Sequence, residues 1–282
     1  MDRLSSVFTH FALHSRVFFS GRRCGVMAFD DHGDEGHIHV LRSGRLTLET
    51  PSGARQTYDT PSVMFYAHPT VHRLLIDESE DAELVCASVG FGAGHGNPLL
   101  DSLPVPFVAP LAALPQQGRL LDVLFEEAFE GHCGYQAAVD RLMEVLVIQL
   151  LRYGMQTGAA RAGTLAGLAD PHLSRALVAV HRNPAEPWTV ATLGALANMS
   201  RSRFAEHFMT VVGVPPGEYL AHWRIRVAQT LLRKGRPLGV VANEVGYSTS
   251  AALSRAFSHQ VGCSPRQWLT QHRASEIDHA AV

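Results

Sequence analysis

The chain of 282 residues contains no apolar run of the roughly 18 residues that a membrane-crossing helix needs. Its opening, MDRLSSVFTHFALHSR, has no basic start, no apolar core and no small-residue cleavage site. No secretory signal is therefore expected, and the cytoplasm is the expected location. Cysteine is sparse: Cys24, Cys86, Cys133 and Cys263 lie far apart. That spacing is neither a disulfide framework nor a CxxC zinc knuckle. No Ser/His/Asp or Cys/His nucleophile motif is visible, so no catalytic residue is expected. Charged residues make up only 18%, against 46% hydrophobic, which excludes extensive disorder and allows a packed core.

What charge there is divides unevenly. Residues 1–180 carry 13 Arg and Lys against 20 Asp and Glu, a net of −7. Residues 181–273 carry 11 against 4, a net of +7, and the last nine residues add −2. A near-neutral chain with one basic region predicts that only this region meets a polyanion.

The patterning divides in the same way. Short apolar-alternating runs, among them HIHVLRSGRLTLET, SVMFYA, HRLLID and ELVCASVGF, alternate with turn residues over 15–90. They predict an antiparallel sandwich or barrel. After GFGAGHGNPLLDSLP the period becomes helical, in LLDVLFEEAFE and AAVDRLMEVLVIQLLRYG. The stretch MQTGAARAGTLAG reads as a linker. Asp170 then caps a helix that ends before Asn183-Pro184. The glycine-rich run is followed by Asn97-Pro98 rather than by a helix, which excludes a phosphate-cradling loop.

The basic region repeats itself at an offset of 49 residues. Ala197 matches Gly246, Phe204 Leu253, Phe208 Phe257, Gly213 Gly262, Pro216 Pro265 and Tyr219 Trp268. A short apolar helix precedes each copy, with Ser200 and Thr249 suited to cap the second helix. Each copy thus reads as helix, turn, helix. EYLAHWRIRVAQTLLRKG would be one helix joining them. In such a motif the second helix enters the major groove with its N-terminal residues toward base edges. Those residues are Arg201, Ser202, Arg203 and His207 in the first copy. In the second they are Ser248, Thr249, Ser250, Ala252, Ser254 and Arg255. Arg can bond a guanine edge with two donors, and Ser or Thr serves several bases. Arg224 is a candidate phosphate contact.

The segment from Trp188 to Trp268 resembles the DNA-binding domain of the AraC/XylS family of transcription regulators. The resemblance implies two helix-turn-helix units, double-stranded promoter DNA as partner, and frequently activation through RNA polymerase. HIHVLRSGRLTLET and TPSVMFYAHPTVHRLL resemble the two sheet motifs of a cupin, and VCASVGFGAGHGNPLLDSLP resembles the end of the sensor domain in one branch of the family. The cupin resemblance implies a metal site at His37, His39 and His72, for zinc or another divalent cation. The acid of the cupin pattern is missing, and Arg42 would oppose a cation. No cofactor is otherwise demanded. Cys24 follows Arg22-Arg23, a setting that favours thiolate, and Cys86 lies on another strand. Both are candidate oxidant sensors, and the N-terminal layout resembles regulators that respond to reactive chlorine species.

The expected fold is therefore α+β and multidomain. A cupin-like antiparallel β-sandwich or barrel with helices would precede an all-α double helix-turn-helix domain. The expected boundaries are 1–115 sensor, 116–154 helical hairpin for homodimerisation, 155–170 linker, 171–273 DNA-binding domain and 274–282 tail. The expected function is a DNA-binding regulator, acting as an activator and controlled by a small molecule or oxidant. The competing reading is a cupin-type metal-dependent enzyme with a DNA-binding appendage.

Overall fold

The computed structural model describes residues 2–77, 81–92, 99–101, 103–114 and 117–271. The expected tail at 274–282 and most of the glycine-rich run lie outside the described residues. The chain forms two compact units. One comprises 13–95 with 103–159, and the other comprises 1–12, 96–102 and 160–282.

The elements follow in chain order. Helix α1 (Ser5–Phe8) precedes strands β1 (His14–Arg23), β2 (Gly25–Phe29), β3 (Gly36–Ser43), β4 (Leu46–Glu49) and β5 (Arg55–Tyr58). Then come β6 (Ser62–Tyr66), β7 (His72–Ile76), β8 (Ala82–Gly90) and β9 (Phe107–Pro110). Helices α2 (Gln117–Glu130) and α3 (Tyr135–Thr157) follow, and then α4 (Thr164–Ala169) and α5 (Leu173–Arg182). The last five are α6 (Val190–Leu196), α7 (Arg201–Val212), α8 (Pro216–Arg233), α9 (Leu238–Glu244) and α10 (Ser250–Val261).

In the first unit the strands form two antiparallel sheets, ordered β1-β8-β3-β6-β9 and β2-β7-β4-β5. The alternation in β4 and β7 turns Leu46, Leu48, Leu74 and Ile76 inward, where they meet Leu41, Met64, Leu84 and Cys86 from the facing sheet. β6 is buried at all five positions, which explains why it reads as a continuous apolar run rather than as alternation. Helix α3 packs on β1. The Asp140 carbonyl accepts from Ser15 Oγ at 2.6 Å and its carboxylate from the Val17 amide at 2.7 Å. The Arg42 guanidinium lies over the Phe125 and Phe129 rings of α2, at 5.1 and 5.5 Å.

The second unit is helical, and it includes the N-terminal segment. Leu4, Val7 and Phe11 are buried there. Arg3 donates to the carbonyls of Leu168 and Ala169 at 2.9 and 3.0 Å, at the end of α4, where a cation is favoured. His10 Nε2 donates to the His181 carbonyl at 2.9 Å. Phe11 meets the Trp223 ring edge-on at 5.2 Å. Two boundaries therefore differ from expectation. Residues 2–12 pack with the helical unit rather than with the sheets. The expected linker at 155–170 is mostly helix, because Leu165 and Leu168 of the small-residue run TLAGLA are fully buried.

Replacing Phe11 with Ala is expected to cost about 3–5 kcal/mol, the range for emptying a buried aromatic site. Urea unfolding followed by tryptophan fluorescence should show an earlier transition for the helical unit only. An unchanged midpoint would contradict this packing.

Candidate DNA-reading surface and sensor site

Within the helical unit, α6–α7 and α9–α10 are two helix-turn-helix units. Thr189 caps α6 reciprocally with Thr192, and Ser200 caps α7 by accepting from the Arg203 amide at 3.4 Å. Thr249 caps α10 in the same way, with the Ala252 amide at 3.1 Å. Both second helices end on a left-handed glycine, Gly213 (φ 86°) and Gly262 (φ 83°). Phe204, Phe208, Leu253 and Phe257 are buried beneath them.

The turns correct one detail of the repeat. The second helices match at an offset of 49, but α6 and α9 match at 48, as do the left-handed residues Asn198 (φ 56°) and Gly246 (φ 83°). The second unit thus holds one extra residue between turn and cap, and Gly246 is the counterpart of Asn198, not of Ala197. Gly246 has a further constraint. A Cβ there would lie 2.7 Å from the Arg224 guanidinium and 2.9 Å from the Ala185 backbone.

The caps place Arg201, Ser202 and Arg203 on the exposed start of α7, and Ser248, Thr249, Ser250 and Arg255 exposed on the second unit. Ala252 and Ser254 are half-buried, and Ser254 Oγ donates to the Ser250 carbonyl at 2.8 Å. Two expected contact residues have other work. Arg224 donates to the carbonyls of Pro184 and Glu186, both at 2.8 Å, and sits 5.9 Å from the Tyr247 ring. It ties α8 to the loop before α6 through these two carbonyls. His207 Nε2 donates to the Asp170 carboxylate at 2.8 Å, and Asp170 also accepts from the His172 and Leu173 amides. Burial raises the Asp170 carboxyl, but the Leu173 amide, His207 and the His172 amide outweigh it and hold it below its ordinary value. Sequence alone missed this link, because the partners lie 37 residues apart.

In the sheet unit, β3 and β7 do bring His37, His39 and His72 together, with ring centroids 5.1–6.2 Å apart. The arrangement does not suit a metal. His72 Nδ1 donates to the Thr70 carbonyl at 2.7 Å, so its Nε2 carries a lone pair. His39 Nε2 stands 2.9 Å from that atom and donates to it. The two nitrogens that would face a cation are therefore bonded to each other. His72 is also sandwiched between Phe29 (4.7 Å) and Tyr66 (3.8 Å). The carboxylates whose charge reaches His37 are Asp30 and Glu35, and Glu35 accepts from His14 at 2.8 Å. Among the described residues no group of three His, Cys, Asp or Glu side chains is arranged to hold a metal ion. The expected metal site at His37, His39 and His72 is corrected accordingly. Arg42 points to α2 and Glu83 rather than to the histidines.

The cysteines separate in a similar way. Cys86 pairs with Phe19, whereas Cys24 follows Arg23, which pairs with Ala82. Four residues of strand put them on the order of 13 Å apart, beyond disulfide reach. Cys86 is fully buried, and burial pushes its thiol well up, which removes thiolate reactivity. Its expected sensor role is not supported: it is a core residue. Cys24 is exposed.

Burial lowers the pKa of all three imidazoles, His72 to about 4. A neutral buried imidazole favours the folded state above its unfolded value of about 6.5. Below that the unfolded chain binds the proton first, so stability is lost as pH falls from about 6.5 toward 4. Denaturant midpoints of the sheet unit should fall across that window, and His72→Gln should flatten the dependence. A midpoint independent of pH would contradict the neutral pair.

Known proteins share both halves. Residues 2–156 match the cupin family model and residues 193–271 the helix-turn-helix domain model. An AraC-like protein of Streptomyces antibioticus is 37% identical over 194 residues, covering 67% of this chain and 63% of that protein. This chain thus spans somewhat less than two thirds of that relative. The HTH-type transcriptional regulator AlkR of Acinetobacter baylyi is 28% identical over 96% of this chain and 100% of its own length. The RCS-specific HTH-type transcriptional activator RclR of Escherichia coli is 27% identical over 82% of each. With its cupin half and its doubled, capped helix-turn-helix half, the chain belongs to the AraC family of helix-turn-helix transcription regulators.

Proposed function

We propose that the protein is a sequence-specific DNA-binding regulator, acting as an activator at promoters and in contact with RNA polymerase. The observation that carries this is the pair of identically capped helices α7 and α10, each with its polar N-terminal residues outward. Arg201, Ser202 and Arg203 would read one major groove, and Ser250, Ser254 and Arg255 the next. Helix α8, 18 residues and so about 27 Å long, spaces the two units for grooves about 34 Å apart. Homodimerisation would use the exposed apolar residues Val123, Tyr135 and Val145 of α2 and α3 and would add two further reading helices. The enzyme reading gains nothing from the paired His39 and His72.

Fluorescence anisotropy with promoter fragments tests this reading. Arg203→Ala and Arg255→Ala should each lower affinity for the bound site by about 1–3 kcal/mol and relax specificity. Equal binding to random duplex by the unaltered protein would sink the proposal.

The sheet unit would supply the signal, and the exposed Cys24 is the residue placed to meet an oxidant. In a promoter-reporter assay with hypochlorite, Cys24→Ser should abolish induction and Cys86→Ser should leave it intact. Full induction in Cys24→Ser would remove oxidant sensing by this residue.

A further inference from the structure

The first reading helix lies beside a competitor for its own arginine. Arg203 and His207 stand one turn apart on α7, at the i and i+4 spacing that puts Cβ atoms about 5–6 Å from each other. Both line a recess of about 350 Å³ together with Asp170, His172, Glu206 and Thr210. All of these residues belong to the helical unit. The recess holds two carboxylates. The Asp170 side chain is only 15% exposed, whereas Glu206 is exposed. One Asp170 oxygen accepts from the His172 and Leu173 amides, both at 2.8 Å, and the other accepts from His207 Nε2 at 2.8 Å. Burial raises the Asp170 pKa, but the Leu173 amide and His207 outweigh it, so the group is ionised at neutral pH. Arg203 is exposed and, among the described residues, has no ion-pair partner.

We infer that His207 is a specificity-determining positioning residue: by occupying the Asp170 carboxylate it prevents that group from capturing Arg203, and so leaves the Arg203 guanidinium for a base edge. Two backbone amides fill one Asp170 oxygen, and the imidazole holds the other. Removing the imidazole opens that second oxygen to α7, where Arg203 is the cationic side chain one turn away. Arginine is permanently charged and forms strong charge-assisted bonds, so it takes an open carboxylate readily. A half-buried carboxylate is screened less by solvent and salt than an exposed one, which makes Asp170 the stronger competitor. An exposed i, i+3 pair such as Arg203 with Glu206 contributes little. The inference rests on the reading of Arg203 as a base contact, and it gives His207 a role that needs no contact with DNA.

The test measures the ratio of operator to random-duplex affinity with the full chain. His207→Ala should lower that ratio about tenfold, within the range for losing one Arg–base contact. His207→Gln keeps an N–H donor for Asp170 and should hold the ratio within about threefold. Asp170→Asn keeps a capping oxygen for α5 but removes the charge that attracts a guanidinium. Alone it should change the ratio by less than about threefold, and in the His207→Ala background it should restore the ratio to within about threefold of the unaltered protein, a non-additive pair. Glu206→Gln in the same background should restore nothing. A histidine that touched DNA, or that only braced α7, would give no such restoration. His207→Ala without loss, or a double variant as poor as His207→Ala, would overturn the inference. NMR of the arginine Nε–H groups in the free chain gives a readout that needs no operator. The Arg203 signal, identified by its loss in Arg203→Lys, should exchange slowly with water in His207→Ala and fast in the unaltered protein and the double variant. Fast exchange in His207→Ala would also overturn the inference. An unaltered protein without operator preference sinks the DNA-reading assignment alone, since the NMR measurement still reads the capture of Arg203.

Discussion

The Trp223 indole stacks on the His181 ring at 3.9 Å and takes the edges of His10 and Phe11 at 5.9 and 5.2 Å. This contact joins α8, α5 and the N-terminal segment, and the rest of the helical unit depends on it. Burial holds the His181 imidazole neutral down to about 3, so it serves as an apolar surface while its Nε2 meets Tyr219 Oη at 2.7 Å. Tyr219 in turn touches Phe208 of α7, at 5.5 Å. The position of the first reading helix is thus set by one aromatic chain running through α8. The second is set by Phe257 and Trp268, which meet edge-on at 5.7 Å. Aromatic pairs of this kind contribute beyond the area they bury, and their geometry restrains angle as well as distance.

Polar residues that look available for DNA in the sequence are partly used for the same purpose. Arg224 closes the loop before α6, and Asp170 ties the start of α5 to His207 on α7. Both links join segments distant in sequence, 40 and 37 residues apart, so these side chains act within the fold. The starts of α7 and α10 stay exposed, and their caps use only Ser200 and Thr249.

The sheet unit shows the opposite balance. Its three histidines lie where a cupin would carry ligands, yet two aromatic faces and an imidazole pair close the site on itself. Desolvation favours neutral rings, and neutral rings bond to each other and stack. The inner sandwich is consequently a packed core with polar members.

The local pattern by itself determined most of the elements. Phe204 and Phe208 at helical spacing, closed by Gly213, and their counterparts ending at Gly262 can form little else than two short buried-face helices. Alternation in HRLLI and LTLE likewise determined β7 and β4. Only the tertiary structure decided where the N-terminal segment packs, because Leu4, Val7 and Phe11 are equally suited to any apolar surface. It also decided the one-residue offset between the turns, the pairing of His39 with His72 and the link from Asp170 to His207. Each depends on groups distant in sequence that meet only after the chain has folded, and hydrophobic patterning records which face is buried but not what buries it.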